Sequence, residues 1–403
     1  MRDHFVIAGG GQAAAQAAQS LRGAGFDGRI SLVADEPVLP YQRPPLSKRY
    51  LAGDVEAERL LLKSEEFYTS NDIDVMTATR VTTIDAGAKR MTLSNGHEIE
   101  FAQLLLATGS EPRRLPIPGA ELDGVHYLRR LADVDAIRAE FEPGRKLLIV
   151  GAGYIGLEVA AVAVKAGLEV TVLEAASHVM ARSVSTLISD FYANYHRRAG
   201  ANLKLESTLI ALHGSDRVHS AETATGERLE CDLVIAGIGV TPRADLAEQA
   251  SITIDNGIAV DSGCRTSAPD VYAAGDCASY PHPWLGRPVR LESVQAAIEQ
   301  GKVVAATVMG QNQSFTAIPW FWSDQYDLKL QLAGLAGEHD DTVLRGNRDD
   351  GQFSVFYLQR GRTIAVAAVN DPRSFILARN RLAEKPEWPR EAIADPDTDL
   401  AKL

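Results

Sequence analysis

The sequence predicts an α/β fold of two parallel-sheet domains built to one plan, followed by a smaller α+β domain. Three observations carry that expectation. Gly9-Gly10-Gly11-Gln12-Ala13-Ala14 follows the apolar run Phe5-Val6-Ile7-Ala8 and opens an Ala-rich stretch. Gly151-Ala152-Gly153-Tyr154-Ile155-Gly156 follows Leu147-Leu148-Ile149-Val150 and opens a second helical stretch. From about residue 317 the composition turns aromatic and β-rich.

In the pattern G-x-G-x-x-G/A the first glycine makes a tight strand-to-helix turn, the second lets backbone approach a pyrophosphate, and the third position must be small for helix-on-strand packing. The helix N-terminus then offers free N–H groups to the anion. Each unit therefore reads as a Rossmann-like dinucleotide-binding domain. The candidate phosphate-loop residues are Gly9, Gly11, Gln12 and Ala13 in the first, and Gly151, Gly153, Tyr154, Ile155 and Gly156 in the second. Each fingerprint is followed by a second strand ending in an acid, Asp35 and Glu174, whose carboxylate suits a ribose diol. Glu174 also reads more plainly as a solvated strand end. Two nucleotides in one chain point to electron transfer between them.

The length of 403 residues exceeds one ordinary core, and 45% apolar residues suffice for several. A net charge of −12 with no run of Lys and Arg argues against nucleic acid. No stretch of about 18 apolar residues is present to span a bilayer, and the first strand begins close to the N-terminus, so the chain reads as soluble, cytoplasmic and free of membrane. Cys231, Cys264 and Cys277 are too far apart for a C-x-x-C pair. They read as buried spectators, and no metal site is expected.

Between the fingerprints, the Pro-rich segment Leu39 to Lys48 reads as a structured loop. Short strands follow around Ile73 to Met76, Thr82 to Ile84 and Met91 to Leu93, with Asn95-Gly96 as a hairpin turn. Leu104-Leu105-Leu106-Ala107-Thr108-Gly109 and Leu233-Val234-Ile235-Ala236-Gly237-Ile238-Gly239 are buried strands ending on glycine, one device used twice. Prolines after Gly109 and at Pro242 mark boundaries. A nucleotide-binding sheet needs more strands than the first hundred residues supply, so Val271 to Ala278 and a helix from Ser293 to Met309 are expected to return to the first domain. The expected division is residues 1–110 with 242–316, an inserted domain at 111–241, and a C-terminal domain at 317–403 whose polar, Pro-containing tail reads as peripheral.

Taken in order, Pro44-Pro45-Leu46-Ser47-Lys48, Gly151 to Glu158, Asp232 to Gly239, Gly275-Asp276-Cys277-Ala278 and Trp320-Phe321-Trp322-Ser323-Asp324-Gln325-Tyr326 span nearly the whole chain. This pattern resembles the pyridine-nucleotide-disulfide-oxidoreductase-like flavoproteins, of glutathione-reductase-like fold. Within them it is similar to the NADH-dependent ferredoxin reductases of the putidaredoxin reductase type, which serve bacterial oxygenases. The resemblance implies FAD in the first domain and NAD, as NADH, in the second. It implies FAD contacts at Ala13, Asp35, Lys48, Val81, Arg129, Asp276 and Val294, with Ala107, Thr108, Gly109, Gly275 and Trp322 around them. Gly237, Ile238 and Gly239 join the second loop and Glu174 in holding the nicotinamide nucleotide.

By the same resemblance Lys48 and Glu158 form a catalytic pair near the flavin edge, favouring the reduced ring electrostatically. A structural ion pair is the other reading. From the residues alone, Asp276 also fits a helix N-cap and the Trp320–Trp322 segment a domain core. Glu174 would repel a 2′-phosphate, which favours NADH over NADPH. The absent cysteine pair speaks against disulfide reduction. The implied partner is a 2Fe-2S ferredoxin, with Arg290, Lys302, Lys329 and Arg345 as docking candidates, and the chain is expected as a monomer or weak dimer. The ferredoxin would supply a haem-thiolate monooxygenase or a Rieske oxygenase. Rubredoxin reductase, or a flavin-bearing signalling protein of the apoptosis-inducing-factor type, are the alternatives.

Overall fold

The computed structural model describes residues 3–384 and 386–403. The chain forms two compact units, Met1–Gln42 with Ala57–Glu111 and Val240–Pro319, and Arg43–Glu56 with Pro112–Gly239 and Trp320–Leu403.

In the first unit His4–Ala8 lies at the centre of a five-stranded sheet in the order Val271–Ala273, Gln103–Leu106, His4–Ala8, Arg29–Val33, Ile73–Met76. All four pairings are parallel, with Ala8, Leu106 and Ala273 in one row at the carboxyl ends of their strands. Both faces of the sheet are covered, so its strands are apolar nearly throughout rather than alternating. The helix Gln12–Gly23 buries five alanines and Leu21. Small side chains let it lie against the helix Val294–Val308, where a Cβ on Gly301 would meet Ala13 O at 2.9 Å and Ala17 N at 3.1 Å. An antiparallel three-stranded sheet, Val81–Asp85, Arg90–Leu93 and Glu98–Glu100, belongs to the same unit, with Gly96 at φ +82° in its turn.

The second unit repeats the plan. Its parallel sheet runs Asn202–Lys204, Glu169–Leu173, Lys146–Val150, Leu233–Ala236, Val125–Tyr127. A second antiparallel triplet, Leu209–Gly214, Val218–Thr223 and Arg228–Glu230, matches the first. The same unit contains the C-terminal five-stranded antiparallel sheet, in the order Trp320–Gln325, Leu328–Gly334, Arg362–Val369, Gln352–Gln359, Asp341–Asn347. Phe353, Val355, Phe356 and Val366 to Val369 form its core, with the helix Pro372–Arg381 packed on it.

The C-terminal tail is not peripheral, contrary to expectation. Trp388, Ile393 and Leu400 are buried, and the guanidinium of Arg345 donates to the carbonyl oxygens of Ala392, Ile393, Asp395, Pro396 and Thr398 at 2.5–3.2 Å. A polar composition concealed this, because the anchoring uses tail backbone and only three apolar side chains. Among the described residues no helix is long and apolar enough to cross a membrane, and no group of His, Cys, Asp or Glu could hold a metal ion.

The Gly301 contact leads to a direct test. Gly301→Val forces a branched side chain against the first turn of the helix after the first glycine loop. It should cost about 1–3 kcal/mol of stability by overpacking and lower FAD occupancy, measured by thermal unfolding and by the flavin absorbance of purified protein.

Candidate functional site

In the first unit the three glycine-ended strands deliver their loops to one edge of the sheet. Gly9 has φ +134°, and a Cβ there would lie 2.1 Å from Ala107 O, so only glycine lets the chain turn against the neighbouring strand end. Gly11 faces open space, with nothing within 4 Å of where a Cβ would be, and Gln12 and Ala13 begin the helix. Gly275, at φ +86°, brings the third loop within 3.3 Å of the Ala13 methyl, measured from an added Cβ. Its N–H donates to Gln300 Oε1 at 2.6 Å. Thr108 Oγ1 donates to Arg243 O at 2.6 Å beside Gly109. Asp276 accepts from Ser110 Oγ at 2.9 Å, and it is no helix N-cap, because the chain runs on from it into the strand Ala278–His282. Ser293, not Asp276, caps the helix of Val294, accepting from the Ala296 N–H at 3.1 Å.

Two observations fit a flavin nucleotide here. One is the open cradle at Gly11. The other is Gln295 Oε1, which is buried without a hydrogen-bond partner in the first turn of the helix Val294–Val308. Burial of an unpaired amide oxygen is costly, and a ligand N–H would satisfy it. Gln295 and Gln300 were missed in the sequence because an amide within a helical pattern carries no motif.

Asp35 sits differently from its counterpart. The register pairs Ala8 with Val33 and Val150 with Leu173, so Ala34 occupies the position of Glu174 and Asp35 lies one residue beyond. Its carboxylate pairs with Arg80 and Arg243, each at 3.3 Å. Arg80 adjoins Val81, which is buried at the start of its strand.

In the second unit a Cβ on Gly151 would lie 2.5 Å from Gly237 O, repeating the contact of Gly9, while one on Gly156 would lie 2.1 Å from Gly151 O, where the first loop has Ala14. Gly153 again faces open space. Glu174 is more than a strand end: its two carboxylate oxygens accept from the Ala152 and Ala176 N–H groups at 2.7 and 2.9 Å, fixing an acid at the phosphate loop. Ile155 is 43% exposed at the second helical position. Tyr154 packs edge-on to Phe321, with ring centroids 4.4 Å apart, and its hydroxyl is buried. Ile238 packs on the unit's core and Gly239, at φ +104°, accepts from the Arg113 N–H.

Lys48 and Glu158 meet in this unit. Lys48 follows the short 3-10 turn Pro44–Ser47, whose proline rings fix the backbone, and its Nζ lies 2.7 Å from Glu158 Oε2. Glu158 is only 4% exposed on the helix Tyr154–Lys165. Its carboxylate also accepts from Ser47 Oγ and Ser323 Oγ, each at 2.5 Å. The two serines were not singled out from sequence, since hydroxyls at these positions carry no pattern. Arg129 lies between the strand Val125–Tyr127 and the helix Leu131–Arg138, its N–H donating to Asp133 and its carbonyl accepting from Arg43. Trp322 is half-buried, with Trp320 at 5.8 Å between centroids.

Two docking candidates are corrected. Arg345 is 8% exposed and committed to the tail carbonyls, so it is unavailable to a partner. The Arg290 side chain is largely buried, donating to Asp276 O at 3.1 Å and paired with Glu292 at 2.7 Å. Lys302 and Lys329 are exposed, Lys302 beside Glu299. All three cysteines are free and buried, and burial pushes the thiols of Cys231 and Cys264 up to about 12 and raises that of Cys277, which favours the protonated form near neutral pH.

A family described as pyridine nucleotide-disulphide oxidoreductase matches residues 3–301, and one described as reductase C-terminal matches residues 320–403. Rhodocoxin reductase of Rhodococcus erythropolis is 43% identical over 397 residues, covering 98% of this chain and 93% of that protein. The crystal structure of the ferredoxin reductase for the CYP199A2 system of Rhodopseudomonas palustris superposes with a TM-score of 0.97 at 39% identity, over 99% of each chain. That of the covalent putidaredoxin reductase–putidaredoxin complex gives 0.95 at 38%, over 99% of this chain and 96% of the other. With two glycine loops of one geometry and these likenesses over nearly its full length, the chain belongs to the pyridine nucleotide-disulphide oxidoreductase family.

Proposed function

We propose that the chain is an FAD-dependent NADH:ferredoxin reductase that supplies a 2Fe-2S ferredoxin of a haem-thiolate or Rieske oxygenase system. The observation that carries this is one complete dinucleotide loop in each unit alongside three buried, widely separated thiols. Electrons entering from a nicotinamide have no cysteine pair to receive them, so they leave to an external acceptor. The names of the similar reductases support the same acceptor class. The accompanying domain division is FAD at residues 1–110 and 242–316, NADH at 111–241, and a C-terminal domain at 317–403. We place the enzyme in the cytoplasm, where thiols stay reduced.

FAD supplies the chemistry that takes a hydride and releases electrons singly. Gly9 makes the turn, its own N–H donating to Val33 O, and Gly11, Gln12 and Ala13 would present N–H groups to the pyrophosphate, with Ala107, Thr108, Gly109, Gly275 and Asp276 lining the same strand ends. Val294 and Gln295 open a helix whose positive end favours negative charge on the reduced ring. Asp35, Val81, Arg129 and Trp322 complete the proposed FAD set. Gly151 to Gly156 and Gly237 to Gly239 hold NADH, with Glu174 on its ribose. Lys48, held by Glu158, would supply positive charge that favours the reduced flavin, and hydride transfer would need no proton from either residue.

Steady-state NADH oxidation with a plant-type 2Fe-2S ferredoxin, a rubredoxin, a disulfide and no acceptor tests the assignment. Fast turnover is expected with the ferredoxin alone, and Lys302→Glu should raise its KM and weaken its salt dependence. Slow oxidation with every acceptor would exclude the reading in favour of a signalling role.

Glu174 predicts the nucleotide. A 2′-phosphate would meet a fixed carboxylate, so kcat/KM should favour NADH over NADPH by about a hundredfold. Glu174→Arg should narrow that ratio.

Lys48→Met should slow flavin reduction by NADH in stopped flow by about tenfold or more while leaving FAD bound. An unchanged rate would remove the pair from catalysis.

A further inference from the structure

We propose that Ser323 and Gln325, set by His196, are positioning residues for the Glu158 carboxylate and, through it, for the Lys48 ammonium. The proposal rests on the role given above to that pair.

Ser323 and Gln325 are two apart on the strand Trp320–Gln325, so both side chains point to one face of the C-terminal sheet. Both are buried. Gln325 Nε2 donates to Ser323 Oγ at 3.1 Å, and Ser323 Oγ lies 2.5 Å from Glu158 Oε1. On the other side Gln325 Oε1 lies 2.9 Å from Nε2 of His196, a fully buried residue on the helix Thr186–Ala199. Tyr326 OH stands 3.4 Å from His196 Nδ1.

The chain has one consistent direction. Burial holds the His196 pKa below its ordinary value, so near neutral pH the ring is uncharged and carries one N–H. With an amide oxygen facing Nε2, that proton sits on Nε2, and Nδ1 accepts from Tyr326. Gln325 must then turn its NH₂ toward Ser323. The serine oxygen is occupied by that donor, and its own proton is left for Glu158. Every donor from Tyr326 onward aims at the carboxylate, which therefore keeps one orientation as it receives Lys48 and Ser47 on its other oxygen.

A buried polar chain of this kind is not the most stabilising filling for the space; apolar side chains of similar volume would pack as well. Its distinctive product is a fixed position for one anion. Hydrogen bonds to a charged group are also the ones whose loss is felt most. The C-terminal sheet thereby takes part in setting a pair whose members lie far earlier in the sequence.

The test compares holoenzyme carrying Ser323→Ala, Ser323→Thr or Gln325→Leu, each alone and with Glu158→Gln, in stopped-flow flavin reduction by NADH and in thermal unfolding. Ser323→Ala should slow reduction about tenfold, the loss of one hydrogen bond to a charged group, and Gln325→Leu about threefold, because the Ser323 hydroxyl is then no longer held toward Glu158. Ser323→Thr, which keeps the hydroxyl, should stay within about twofold, and neither slow variant should slow Glu158→Gln further. Slowing that adds in full to that of Glu158→Gln, or equal slowing by Ser323→Thr, overturns the proposal. If Glu158→Gln itself reduces flavin as fast as the parent, the catalytic role of the pair fails instead. Positioning is then judged on unfolding, where the Tm lost in Ser323→Ala must vanish in the Glu158→Gln background.

Discussion

A carbonyl oxygen in the space of a missing side chain is the constraint on which this molecule depends. At Gly9 it belongs to Ala107 and at Gly151 to Gly237, in each case the end of the neighbouring parallel strand. Because nothing larger than hydrogen fits, the chain can leave one strand, turn, and start a helix directly over the next strand's end. The N–H groups of that helix then face outward at the carboxyl edge of the sheet, where a phosphate can reach them. The same steric fact thus sets the turn, the helix position and the ligand site.

The second organising interaction is of another kind. Glu158 is a buried anion with three donors, from the Pro-rich turn, from its own ammonium partner and from the C-terminal sheet. Removing water from such a group is tolerable only when its lone pairs are met. Segments distant in sequence are therefore obliged to converge on it within one unit.

Much of this was legible in sequence. The glycine spacing, the apolar runs before it and the acids after it located both parallel sheets, and Asn95-Gly96 marked its hairpin. The expected short strands fall where they were read to within a residue or two. What could not be read is what depends on register and burial. Asp35 and Glu174 look alike in the sequence, yet only Glu174 lies at the strand end where it meets its loop; in the first unit Ala34 fills that place. Arg345 looks like any basic residue available for docking, because its commitment is to backbone carbonyls that leave no trace in side-chain pattern. Gln295, Ser323 and Gln325 likewise owe their significance to neighbours rather than to motif.

The clasp of Arg345 on the last segment has an evolutionary corollary. Five carbonyl groups are identical whichever side chains flank them, so the selective constraint falls on the arginine, on the length of the tail and on the buried Trp388, Ile393 and Leu400, while the identities of its exposed residues are free to drift. The C-terminal end of such a chain can diverge quickly between lineages and still fold back to the same place.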